Sequence, residues 1–133
     1  MLKKIILLFF VLTLLGGCKK YPEDPATIHL RTAKQRLTQR SFITDKAKSN
    51  NTGIDYSGSP GNDYVHFLKN GDFHGDHSIL FQFNGKWEFE DKKNNIHIYN
   101  ETKSFSFQII RLDAHYLSLK NDTIRCDYHN TRP

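Results

Sequence analysis

The 133-residue chain has little of what usually makes chemistry legible: two cysteines, one methionine and one tryptophan. No Gly-x-Ser-x-Gly, glycine-rich phosphate loop or Cys-x-x-Cys occurs, which removes the common signatures of serine hydrolases, nucleotide binding and dithiol redox chemistry. No apolar run reaches the about 20 residues that a membrane-spanning helix needs, since the longest stops at Gly16-Gly17. No internal repeat or low-complexity tract is present. Charge of one sign is scarce as well: the formal net charge is +5, and basic residues such as Arg31, Lys34, Arg36 and Arg40 are scattered. Such a pattern reads as solvated surface and excludes a nucleic-acid partner.

What is present begins with a leader. Lys3 and Lys4 precede the apolar stretch Ile5 to Leu15, and small residues follow, the organisation of a signal peptide. Leu15-Gly16-Gly17-Cys18 resembles the bacterial lipobox. The resemblance implies cleavage before Cys18, a thioether to diacylglycerol and acylation of the new amino terminus, palmitate being the usual chain. Several acyl chains are needed for stable anchoring, because one binds a bilayer only marginally. Cleavage without lipid, or retention as a helix, are the alternatives.

The chain therefore divides into a signal peptide (1–17), a lipidated tether (18–27) and one domain (28–133). Lys19 stands where proteobacterial lipoproteins retained at the inner membrane carry Asp, so the resemblance to such signals implies the outer membrane. The leaflet is undetermined, since Glu23-Asp24 resembles an acidic export tether only loosely. The prolines in Tyr21-Pro22-Glu23-Asp24-Pro25 predict a stiff extended spacer that holds the domain off the membrane. Lipidation of Cys18 leaves Cys126 unpartnered. Strand alternation puts Cys126 beside Ile124 and Tyr128 on an apolar face, as a small core residue; a reactive thiol is the alternative.

In the domain, Thr32 to Leu37 predicts a short helical turn with Thr32 as N-cap. From residue 64 onward apolar and polar residues alternate: Ile79, Phe81 and Phe83; Trp87 and Phe89; Ile96 and Ile98; Phe105, Phe107 and Ile109; Leu117 and Leu119. Turns are expected at Asn70-Gly71, Asn84-Gly85, Lys92 to Asn95, Asn100 to Lys103 and Asn121-Asp122. Residues 45 to 62 read as a long loop around a short strand at Gly53 to Ser57. Ile109-Ile110 breaks the alternation and predicts a bulge or a strand covered on both faces. Such brief connections force antiparallel neighbours. The expected fold is all-β: an up-and-down meander of about eight strands that closes into a small barrel, because a sheet with so aromatic a face would otherwise leave it wet.

These residues resemble the small lipocalin-like lipoproteins of Bacteroidetes. The likeness runs through Cys18 to Pro25, Lys34-Gln35-Arg36-Leu37, Gly85-Lys86-Trp87-Glu88-Phe89, Ile109-Ile110-Arg111-Leu112 and Tyr116-Leu117-Ser118-Leu119. It implies a lipocalin-like barrel. One departure is Gln39-Arg40-Ser41, where such chains commonly carry Gly-x-Trp on the first strand; it implies looser closure there.

Candidate chemistry is sparse. Phe81, Phe83, Trp87, Phe89, Phe105 and Phe107 either line a cavity for an apolar ligand or fill the core. His74-Gly75-Asp76-His77, with His66 or Asp72 as a third ligand, is the weak metal candidate, set against ordinary turn residues in an exposed loop. Glu88 and Glu90 share an outward strand face and, being exposed, make poor acid catalysts. The expectation is a membrane-anchored, non-enzymatic domain without a cofactor, binding a small apolar ligand or an envelope protein. A purely structural or interaction module is the alternative, and a metal-dependent enzyme the distant one.

Overall fold

The computed structural model describes residues 3–6, 20–25, 31–53, 64–76 and 82–131. A six-residue helix, α1 (Ala33–Thr38), precedes eight strands: β1 (Phe42–Ser49), β2 (Tyr64–Phe67), β3 (Asp72–Asp76), β4 (Asn84–Glu90), β5 (Asn95–Tyr99), β6 (Ser104–Leu112), β7 (Tyr116–Lys120) and β8 (Ile124–Asn130). Each strand pairs antiparallel with the next, and β1 pairs with β8, so the sheet closes. The all-β meander and barrel expected from alternation are what the chain forms. No helix among the described residues is long and apolar enough to cross a membrane.

Helix α1 forms because Thr32 caps it: the Gln35 amide donates to Thr32 Oγ1 at 3.1 Å while the Thr32 amide donates to Gln35 Oε1 at 2.9 Å. This capping box satisfies two otherwise orphaned donors. The helix buries Ala33 and Leu37 against β2 and β6. It leads directly into β1, so it closes the end of the barrel that carries the β2–β3, β4–β5 and β6–β7 turns.

Inward positions alternate as expected. Ile96 and Ile98 of β5, Leu117 and Leu119 of β7, and Ile124, Cys126 and Tyr128 of β8 are buried. The Ile109-Ile110 irregularity is both things anticipated: the β6–β7 register shifts between Ile109 and Arg111, and Ile110 is buried as well. The Asn100 and Asn121 turns are held by side chains, each Oδ1 accepting two backbone amides two and three residues on.

Four expectations change. Residues 45–49, assigned to a loop, are the second half of β1, paired along β8 with a register shift between Thr44 and Lys46. Their mixed burial hid the strand period. The anticipated strand at Gly53 to Ser57 lies outside the described residues beyond Gly53, as do Ile79 and Phe81. Asn84-Gly85 is not a turn but the start of β4. A Cβ on Gly85 would meet the Tyr99 carbonyl oxygen at 2.2 Å, so this glycine serves close strand approach and not positive φ. Gln39-Arg40-Ser41 precedes β1 and is not part of the first strand.

The fourth change concerns the spacer. Tyr21 and Asp24 are each 2% exposed. The Glu23 amide donates to the Ile110 carbonyl at 2.8 Å, and Asp24 Oδ1 accepts the Leu112 amide at 2.8 Å. The segment thus occupies the free edge of β6 where that strand runs past the start of β5. The Tyr21 hydroxyl donates to the Lys93 carbonyl at 2.9 Å, and burial pushes its pKa up to about 12. Glu23 forms an ion pair with Arg125, whose hydrogen bond holds the carboxyl below its usual range. The prolines shape a segment that docks on the barrel and does not stand off it.

Truncating Trp87, 6% exposed, to alanine should cost about 3–5 kcal/mol, read from denaturant midpoints; a loss under about 1 kcal/mol would contradict its core position. Asp24→Ala, which strands the buried Leu112 amide, should cost about 1–3 kcal/mol in the same assay.

Candidate functional site

The aromatic residues meet inside the barrel. Phe67 and Phe73, which flank the Asn70-Gly71 turn, lie 5.2 Å apart between ring centroids; Trp87 stands edge-on to Phe67 at 5.8 Å and to Phe89 at 5.3 Å. The row continues from Phe73 to Phe83 (5.6 Å), Phe105 (6.1 Å) and Phe107 (6.3 Å). The Trp87 indole donates to the Leu68 carbonyl at 2.9 Å, which satisfies its one polar group. Trp87 and Phe107 are buried, whereas Phe83, Phe89 and Phe105 are partly buried against the core. Phe83 and Phe105 stand at the barrel end opposite α1, and Lys103 Nζ lies 5.4 Å from the Phe83 centroid. Phe81 lies outside the described residues. Phe67 and Phe73 were missed in the sequence, although their symmetric placement about an Asn-Gly turn marks a hairpin pair.

The histidine motif is not a loop. His74, Gly75 and Asp76 belong to β3, and His74 pairs across the ladder with His66 of β2. His77 lies outside the described residues. Asp72, a candidate third ligand, is engaged by Lys86, which holds its carboxyl below the usual range, and it also accepts from Asn70 Nδ2 at 2.9 Å. Burial, and then the charge of His74, lower the pKa of His66. Among the described residues, His66, His74, Asp72 and Asp76 do not form a group of three close enough to share a metal ion.

The structure instead gathers Glu88, Glu90 and His97, whose ligand atoms lie within 4.8 Å of one another on the outer face of β4 and β5. His97 Nδ1 is 3.3 Å from Glu88 Oε1 and 3.5 Å from Glu90 Oε1, while Nε2 is 2.7 Å from Ser104 Oγ. The alternation that faces Ile96 and Ile98 inward faces His97 outward, so this neighbour was available from the sequence once the β4–β5 register was known. On the far side of the barrel, His129 Nδ1 and Asp45 Oδ1 are hydrogen-bonded in a surface cleft of about 540 Å³ that His115 and Tyr116 also line.

Cys126 is fully buried, and burial raises its pKa to about 11. It is the core residue expected and a poor nucleophile. Asp113 is held below the usual carboxylate range: burial alone would raise it, but the amides of His115 (2.7 Å) and Tyr116 (2.9 Å) and the Arg111 guanidinium (2.6 Å) outweigh that.

Comparison with solved structures finds a lipocalin-like protein from Bacteroides uniformis ATCC 8492, with a TM-score of 0.56 and 13% sequence identity over 72% of this chain and 99% of that one. The likeness establishes a lipocalin-like barrel fold. No family model and no curated protein sequence matches the chain.

Cys126 should resist thiol reagents at about pH 8 in the native protein and react at the rate of global unfolding, followed by mass; fast modification would place it at the surface. Because the folded pKa of His66 lies below its unfolded value, the folded state binds fewer protons, and stability should fall as pH drops through about 6.5. His66→Gln should flatten that slope in thermal melts recorded between about pH 7.5 and 5.5.

Proposed function

We propose that the chain is a lipid-anchored lipoprotein of the outer membrane, attached through Cys18, whose barrel binds a small apolar ligand without catalysing a reaction. The observation that carries the binding half is the aromatic row, which passes from buried Trp87 and Phe107 to partly exposed Phe83 and Phe105 at the barrel end opposite the helix. Rings that are half covered by the core can cover a ligand at little reorganisation cost, and lysine at the rim over Phe83 suits an amphiphile with an acidic head. The anchoring half is supported by the charged, apolar and small residues that lead to Cys18.

Mass spectrometry of the protein extracted from membranes should show cleavage before Cys18 and added acyl mass; an unmodified amino terminus would refute the anchor. Native mass spectrometry of the chain after incubation with a lipid extract should show a retained small molecule. Phe83→Ala and Phe105→Ala should each weaken retention about tenfold, given the apolar area each ring supplies. A bare mass under every condition would leave an interaction module with a filled core.

A further inference from the structure

We infer that the helix-bearing end of the barrel sits flush on the bilayer and that its basic rim binds anionic lipid headgroups. The inference rests on the proposed lipidation of Cys18, and two structural observations carry it beyond that reading.

The first is the docked segment. Tyr21 through Asp24 are fixed to β6 and to the β4–β5 turn, so Cys18 lies only three residues from a point bonded to the barrel. A chain of that length spans at most about 10 Å. Lipid chains on Cys18 would therefore bring the β4–β5 turn to the headgroups and leave the opposite end facing away. Lys20 strengthens the link, donating from Nζ to the Lys92 carbonyl at 3.0 Å and to Asn94 Oδ1 at 3.3 Å.

The second is charge asymmetry between the two ends. In an up-and-down barrel alternate connections fall at opposite ends, so residues 31–41 lie with the turns at 68–71, 91–94 and 113–115, and the bonds of Lys20 and Tyr21 to the 91–94 turn bring residues 20–25 to the same end. These segments hold eight Lys or Arg against four Asp or Glu. Three of the four acids are already engaged: Glu23 by Arg125, Asp113 by Arg111, and Asp24 by the Leu112 amide. Lys20, Lys34, Lys69, Lys92 and Lys93 are exposed. At the other end, the described turns at 50–53, 100–103 and 121–123 carry Lys103 against Glu101 and Asp122. A rim held within a Debye length of about 8–10 Å by its tether is where such charges act, each lysine strengthening attraction to an anionic leaflet about fivefold.

The test is hydrogen exchange read by mass spectrometry on vesicles of phosphatidylethanolamine with 30% phosphatidylglycerol. One arm uses the lipoprotein extracted from its own membranes. The other couples residues 18–133 through Cys18 to maleimide-phosphatidylethanolamine, buried Cys126 being spared. The second arm supplies the anchor chemically, so it reports on seating even if cells do not lipidate Cys18. Amides at 68–71 and 91–94 should exchange several-fold more slowly on vesicles than in detergent, with those at 100–103 and 121–123 unchanged. Lys92→Glu with Lys93→Glu, in a solvent-exposed turn, should abolish the protection, as should about 0.5 M salt. Equal protection at both ends, or none in the coupled arm, would overturn the inference. Protection that survives charge reversal and salt would overturn the headgroup contact.

Discussion

Everything in this molecule follows from the hydrogen bonds between β1 and β8. They turn a meander with one apolar face into a closed barrel, with Phe42 opposite Asn130 and Ser49 opposite Ile124. Once the sheet is closed, every second residue must share a small interior, and it fills with Phe67, Phe73, Ile96, Ile98, Leu117 and Leu119. Closure also leaves two open ends, and the protein treats them differently. Helix α1 and Tyr21 stopper one, while at the other the aromatic row ends on rings that stay partly exposed.

The fold was legible from Trp87 onward because its strands keep a period of two there, interrupted only at Ile109-Ile110. Ile96 and Ile98, or Leu117 and Leu119, face one side, with short polar turns rich in Asn between strands. β1 was not legible for a physical reason: Phe42, Ala47 and Ser49 are its buried positions, and the irregularity after Thr44 shifts their spacing. Asn84-Gly85 was misread because glycine has two uses, and the sequence does not distinguish positive φ from the close approach to Tyr99. The docked segment was misread because Pro22 reads as extension in a spacer but equally suits the second position of a tight turn, here closed by the Asp24 amide donating to the Tyr21 carbonyl at 3.1 Å.

The site was legible in part. Trp87, Phe89, Phe105 and Phe107 meet inside as alternation requires, and Phe67 and Phe73 join them across the hairpin. The pairing of Glu88 and Glu90 with His97 depends on the β4–β5 register, which a sequence does not state. The strand setting of His66 and His74, and the Asp72–Lys86 ion pair beside them, likewise follow from the β2–β3–β4 register and not from composition.

The turn at Asp91, Lys92 and Lys93 holds three successive non-glycine residues with φ of 47°, 53° and 67°. Left-handed backbone costs about 1–2 kcal/mol per such residue, and here the carbonyls of Lys92 and Lys93 are gripped by Lys20 and Tyr21. Mechanically, the segment near Cys18 and this turn brace one another. Tension drawn through the amino terminus would load the bond from the Tyr21 hydroxyl and those at Ile110 and Leu112 before it reached the sheet. The first element to yield would be the stopper, so a pull from the amino terminus would open the barrel at its closed end while the β1–β8 seam still held.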